Sequence, residues 1–365
     1  MKKTIGEIID VLEQWAPPAF QESYDNSGLL VGQRHWETSG VLVALDCVEA
    51  VVDEAIEKGI HLVVAHHPIV FSGLKRFNGK SYIERVVMKA IKHDVALYAI
   101  HTNLDNVEWG VNARIMKHLG IERFKVLQPM KGALHKFQVY VPRSHSEQVR
   151  EAVFAAGGGA ISKYDECSFT TEGVGTFRGN DQSNPVIGVA GTREAVDEVK
   201  IEFIVAGYAQ RAVEQAARKA HLYEEMAYEW IPLENEATVY GAGAIGDMDA
   251  DVDFQDFLAF VKAQFQTTVR YTSPKQSRVK RVAVCGGSGS FLLSAAKAAG
   301  ADVFITADFK YHQFFDAEDA VPILDVGHFE SEQFTIDLLA DFIGEKFPKF
   351  AVLKTGVNTN PIQYF

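Results

Sequence analysis

Two histidines stand side by side at the end of a short apolar run, in VVAHHPIVFSG (63–73). Three other places have the same character. HTNLD (101–105) pairs His101 with Asp105, HFESE (328–332) pairs His328 with Glu332, and a further run closes in TAD on Asp308. Neutral imidazole and carboxylate are the donors that borderline divalent metals such as zinc, iron or manganese accept. His328 and Glu332, at i and i+4 near a helix start, can face one point. His66 and His67 are adjacent, so their side chains cannot easily chelate one ion together. They read instead as one imidazole for each of two ions a few ångströms apart. A carboxylate such as Glu332 can bridge that pair, and ions about 3.5–4 Å apart hold a bridging hydroxide and clamp a reacting oxygen.

The elements that must position these residues follow from periodicity. Residues 40–46, 61–65 and 95–100 read as buried strands, alternating with helical patterns at 49–59, 81–91 and 109–119. The C-terminal part repeats the scheme, with strands 281–285, 302–308 and 322–328 and helices 290–299, 310–318 and 330–345. Both series indicate α/β layers. In each, the third strand ends in a histidine followed four residues later by an acid, which suggests an internal pseudo-repeat. Ligands in such layers collect at the carboxyl ends of strands, where all four motifs fall.

The middle differs. HKFQVYVP (135–142) alternates apolar and polar residues as a half-exposed strand does. Ser144 and Glu147 form an S-x-x-E pattern that would open a helix, which GGG (157–159) would end. Strands flanking EGVGTFRG, a strand in DEVKIEFIV, a helix at 208–220 and a strand near 225–232 complete a ferredoxin-like order. The expected fold class is therefore α/β. Two pseudo-repeated lobes, 1–129 and 233–365, form one discontinuous domain, and 130–232 is an inserted ferredoxin-like α+β domain.

Composition narrows the classes of function. A chain of 365 residues with 47% hydrophobic content buries a large core, and no apolar run is long enough to span a bilayer. Glu7, Asp10 and Glu13 interrupt the N-terminal apolar residues at helical spacing, which marks a helix rather than a signal peptide. Three widely spaced cysteines argue against a disulfide framework and for a cytoplasmic setting. A net charge of −12 disfavours nucleic acid as a partner. CGGSGSF (285–291) could cradle a phosphate, but Leu292 stands where a dinucleotide fingerprint needs glycine, and the Lys-Ser/Thr of a P-loop is missing. Its serine misses the nucleophile-elbow spacing by one residue. Cys47 and Cys285 are expected to be inert. His93, His118, His135, His145 and His221 are expected at the surface, and Phe254, Phe257, Val261 and Phe265 in the core.

DNSGLLVG (25–32), HHPIVF (66–71), HTNLD, GAIGD (243–247), CGGSGS, TADFKYH (306–312) and GHFESE (327–332) together resemble the NIF-three-like family, the GTP cyclohydrolase I type 2 homologues. The middle segment resembles the PII-like or CutA-like insertion of the longer bacterial members. The resemblance implies two divalent metal ions per chain, zinc first, with iron and manganese as alternatives. It assigns His66 and His67 to different metals, Asp105 to one, His328 to the other and Glu332 to the bridge. It also implies a toroidal homohexamer. Ala244 stands where the more familiar family motif carries an arginine. His101, Asp308 and His312 fall in matching motifs outside the ligand positions, and are candidates for supporting ligands or relaying protons. The leading functional expectation is a metal-dependent hydrolase of a small, nucleotide-like substrate. The alternative is a non-catalytic metal-binding ring whose insertion senses an effector.

Overall fold

The computed structural model describes residues 2–274 and 276–364. It contains two compact units, Met1–Gln128 with Val239–Phe365, and Pro129–Thr238. None of the described helices is long and apolar enough to cross a membrane.

The first unit is built on two sheets. One has the order Ala351–Lys354, Gly40–Ala44, Leu62–Ala65, Ala96–Ala99, Gly28–Val31. The first four of these strands run parallel and the last antiparallel. GVLVA, LVVA and ALYA are buried at every residue. That is what parallel strands covered on both faces require. Leu42, Val63 and Leu97 pack with Val51, Val52 and Ala55 of one helix and Val86, Val87 and Ala90 of the next. The N-terminal helix, Ile5–Trp15, opens with Thr4 and Glu7 capping each other's backbone amides, which ties down donors that the first turn cannot satisfy.

The second sheet has the order Arg270–Tyr271, Ile323–Asp325, Val303–Ala307, Arg278–Ser288, Ala237–Asp253, Phe124–Met130. Its parallel trio is Arg278–Ser288, Val303–Ala307 and Ile323–Asp325. The two sheets exchange edges. The C-terminal strand Ala351–Lys354 joins the sheet of the N-terminal part, while Phe124–Met130 joins the other. Neither half of the sequence closes its own sheet.

Of three local expectations in this unit, one needs correction. The helix expected at 109–119 forms as Val111–His118, and a separate short helical turn, Thr102–Asp105, precedes it. Gly110 lies between them where any Cβ would run into the Leu104 carbonyl. The segment expected as a helix at 310–318 is a 3-10 turn, Tyr311–Ala317. Phe254, Phe257, Val261 and Phe265 are fully buried, as their spacing requires.

The second unit is an antiparallel sheet in the order Tyr228–Pro232, Leu134–Pro142, Arg193–Ala206, Phe169–Arg178, with helices Ser146–Ala155 and Gln210–Ala220. Phe137, Val139, Ile201 and Phe203 pack with Val149, Val153, Val213 and Ala217. EGVGTFRG runs along the strand Phe169–Arg178 instead of joining two strands. Ser144 bonds to His145 Nδ1 at 2.9 Å and caps nothing, because the helix opens two residues later. His221, expected at the surface, is buried, bonding the Tyr140 carbonyl at 2.8 Å through Nε2 and accepting the Tyr223 amide at 3.1 Å on Nδ1.

Phe304, fully buried on the strand that leads to Asp308, tests the second sheet's packing. Phe304→Ala should cost about 3–5 kcal/mol, read as a lowered denaturant midpoint by circular dichroism.

Candidate metal centre

The carboxyl ends of the parallel strands supply the site. Leu62–Ala65 delivers His66 and His67, Ala96–Ala99 delivers His101 and the short turn to Asp105, and Ile323–Asp325 delivers the helix His328–Glu332. Gly327, at φ +91°, makes the sharp entry to that helix.

Glu332 is the hub, and it is almost fully buried. Its Oε2 lies 2.9 Å from His67 Nε2 and 3.0 Å from His328 Nε2, and the two imidazole nitrogens are 3.3 Å apart. Its Oε1 lies 3.8 Å from His66 Nε2, which is 3.7 Å from Asp105 Oδ1. Two donor groups therefore share Glu332: His67 with His328, and His66 with Asp105. A third group gathers His66, His67 and His101. Each ring is aimed by its other nitrogen. His66 donates Nδ1–H to the Ile100 carbonyl at 2.8 Å, His67 Nδ1 meets Asp46 at 2.7 Å, and His328 Nδ1 meets Asp308 at 2.7 Å. Fixing the proton on Nδ1 leaves the Nε2 lone pairs facing one another.

These residues fit a cation on two observations. Donors on one tetrahedral zinc lie about 3.3 Å apart, and the separations of 2.9–3.3 Å in the His67–His328–Glu332 group bracket that value. His66 Nε2 and Asp105 Oδ1 are buried and lack hydrogen-bond partners. A buried polar atom left unpaired costs about 1–3 kcal/mol, and a coordinated ion removes that penalty for both.

The electrostatics point the same way. Burial works against charge on His67, but hydrogen bonds to Asp46 and Glu332 push its pKa up to about 9. Burial is likewise outweighed at His328, where the Glu332 charge and the bond to Asp308 push the imidazole up to about 11. Burial, and then the Glu332 charge, push the Asp105 carboxyl upward. Glu332 is buried too, yet the imidazoles, His328 foremost, hold it well below the ordinary carboxylate range. Without a cation, protons on the rings balance the carboxylates. A metal must displace them.

Every expected ligand lies in this cluster. Of the three supporting candidates, Asp308 and His101 belong to it as well. Asp308 takes φ +61°, in the left-handed region that Asp tolerates, to reach His328. The His101 ring lies 5.3 Å from that of His66 and 5.4 Å from that of His67. His312 does not join them. It is exposed on the 3-10 turn, against the rings of Tyr311 and Phe315.

Sequence reasoning gave no role to Asp25, Asp46 or Thr359. Asp25 holds His101 Nδ1 at 2.7 Å and the Thr102 amide at 3.1 Å. Burial opposes its charge, but the bonds from His101 and the Thr102 hydroxyl hold its carboxyl well below the usual range. Thr359 donates to the second oxygen of Asp46 at 2.6 Å, so the C-terminal tail braces His67 through Asp46. The glycine turn also has a use that its motif does not suggest. The Gly286 amide bonds Asn112 at 3.0 Å and the Gly287 amide bonds Ser331 at 2.9 Å, so neither is free for a phosphate. A Cβ on Gly287 would come within 3.1 Å of the Glu332 carboxyl carbon and 3.2 Å of His328 Cε1. The turn is glycine because Glu332 and His328 fill the space. Burial pushes the nearby Cys285 thiol up, reinforced by Asp105 and Glu332, and burial pushes Cys47 up to about 12. Both remain protonated.

Imidazole and carboxylate donors gathered at the strand ends of two α/β sheets define a candidate metal-binding protein. The Duf34/NIF3 (NGG1p interacting factor 3) family profile matches residues 3–361. A "GTP cyclohydrolase 1 type 2 homolog" from Halalkalibacterium halodurans is 38% identical over 371 residues, covering all of both chains. One of the same name from Bacillus subtilis is 39% identical over 334 residues, covering 90% of each. A crystal structure of a Bacillus cereus protein related to NIF3 superposes with TM-score 0.85 at 34% identity, covering 100% of this chain and 99% of that one. The chain belongs to the Duf34/NIF3 family.

Two outcomes follow. An ordinary histidine titrates near 6.5, so the raised values of about 9 at His67 and about 11 at His328 stabilise the metal-free fold fully below pH 6.5. That contribution is lost as pH rises through 9 and then 11. The melting temperature of chelator-treated protein should therefore fall from pH 7 to pH 10 more steeply than that of protein loaded with zinc. Parallel curves would show that no cation replaces these protons. Thr359→Val should weaken metal affinity by up to about tenfold in a competition titration, and Thr359→Ser should restore it.

Proposed function

We propose that this chain is a dinuclear metal-dependent hydrolase of a small, nucleotide-like substrate. The observation that carries the reading is the pair of donor groups joined at Glu332. His66 and Asp105 would hold one ion and His67 and His328 the other, with Glu332 common to both groups. Zinc suits the imidazole-rich set, and iron or manganese can use the same donors. Divalent cations in such a site acidify coordinated water and so supply a nucleophile near neutral pH.

The chain's own residues do the rest. Asp46, Asp308 and the Ile100 carbonyl keep the ligand imidazoles in one tautomer. His101, held by Asp25 and packed against both histidines of the doublet, takes the proton released during attack. The relatives' name supports a nucleotide class of substrate. Ala244, where the resemblance places an arginine, is buried opposite Val284, so substrate anchoring would fall to other groups.

We also read residues 129–238 as a ferredoxin-like insertion. The placement of its first strand between its fourth and third supports this. The pseudo-repeat draws support from the two parallel trios, each ending in ligand residues.

Turnover of a nucleotide panel by zinc-, iron- and manganese-loaded protein, followed by chromatography of the products, tests the reading. Wild type should turn over at least one member, and His67→Ala and Glu332→Gln should each lower the rate by at least about 100-fold, on the scale of lost outer and inner ligand support. Tight metal binding with no turnover of any member would leave a metal-binding scaffold instead.

A further inference from the structure

The unit Pro129–Thr238 contains a cavity of about 560 Å³ that the metal chemistry does not use. That volume is in the range of small-molecule sites, about 300–1,000 Å³. Its walls come from the end of the strand Phe169–Arg178, the loop that follows it, Glu198 on the strand Arg193–Ala206, and the segment 223–227 after the second helix.

The walls are fastened to one another. The loop is closed at its base by the Gly191 amide on the Gly179 carbonyl at 2.8 Å, and is tied across the cavity by the Asn184 amide on Glu224 at 3.0 Å. Buried His221 links Tyr223 to the central strand through the Tyr140 carbonyl. Inside, Tyr223 donates its hydroxyl to Glu198 Oε1 at 2.9 Å, and the Tyr223 and Phe177 rings meet edge to face at 5.6 Å. Gly175 leaves room for the Glu198 carboxylate, since a Cβ there would collide with it.

The lining holds both apolar and acidic side chains. Val186, with 59% of its surface exposed, lies with Pro185 and Ile187 in the loop wall. The same walls carry three carboxylates, Glu198, Glu224 and Glu225, and one guanidinium, Arg178. An anion entering this space meets an excess of like charge. A cation relieves the carboxylates' mutual repulsion and finds aromatic side chains, Phe177 and Tyr223, in the walls.

We propose that this cavity binds a small organic cation, a protonated amine carried on an apolar ring-bearing body. The ammonium meets Glu198, whose other oxygen is not engaged by Tyr223, and the apolar body lies on Phe177, Val186 and Ile187. This site does not rest on the metal reading.

Calorimetric titration of the full chain, chelator-treated and zinc-loaded, with phenethylamine and with 3-phenylpropionate tests it. The amine should bind both forms, and the carboxylate at least about tenfold more weakly. Glu198→Gln should weaken the amine by about tenfold or more, the scale of one charged hydrogen bond. Ile187→Arg, which places a guanidinium in the space from a surface loop, should abolish amine binding with the melting temperature unchanged. Equal or tighter binding of the carboxylate would overturn the proposal. So would amine affinity unmoved by both substitutions, or no amine binding to folded wild type at millimolar concentration. None of these readings involves nucleotide turnover, so failure here and failure of the hydrolase reading are separate results.

Discussion

The structure turns on one buried carboxylate. Glu332 is withdrawn from water and faces three imidazoles from two sheets. An isolated carboxylate at that depth would take up a proton instead of staying charged. It stays ionised because His67 and His328 lie within 3.0 Å of it. Their separation in sequence explains the architecture. His67 and Glu332 are 265 positions apart, so the contact exists only if both sheets present their carboxyl ends to a common space. The edge exchange serves that end. With Ala351–Lys354 in one sheet and Phe124–Met130 in the other, each half of the sequence is hydrogen-bonded into its counterpart, and the facing strand ends cannot drift apart without breaking ladder bonds.

The second layer of the site answers a different physical need. A neutral imidazole has two tautomers, and only one puts a lone pair on Nε2. Each clustered histidine is given an acceptor at Nδ1: a carbonyl for His66, Asp46 for His67, Asp308 for His328. The choice matters. A carbonyl fixes the tautomer without adding charge, which suits the fully buried His66. Carboxylates raise the basicity of the two rings nearer solvent, and so strengthen both their hold on a proton and their donation to a metal. Thr359 carries this a step further by fixing the second oxygen of Asp46.

What was legible in the sequence follows from which of these features are local. The His66–His67 doublet and the His328–Glu332 pair announce themselves because strand ends and one helical turn set their geometry within a few residues. Buried parallel strands are legible for the same reason, since continuous apolar runs such as GVLVA have one comfortable environment. Asp46 and Asp25 were not legible. An acid after a strand is ordinary, and its role depends on a histidine that another strand delivers. Thr359 lies 313 positions from its partner and carries no local signal at all. His312 fails in the opposite sense: it sits in a matching motif, but the 3-10 turn that replaces the expected helix leaves it among exposed rings.

The glycine turn at 285–290 shows how one motif can serve two unrelated ends. In a phosphate cradle, glycines free backbone amides to point at an anion. Here the amides of Gly286 and Gly287 are spent on Asn112 and Ser331, and the Gly287 carbonyl accepts from Thr306 at 3.1 Å. What the missing side chains supply is volume beside Glu332 and His328. Satisfied amides would give an incoming phosphate nothing to bind, whereas a cleared wall lets a carboxylate and two imidazoles close to the distances a cation demands. Packing, not anion recognition, is the reason these residues have no side chain, and the same packing keeps the cluster buried enough for its charges to bind each other strongly.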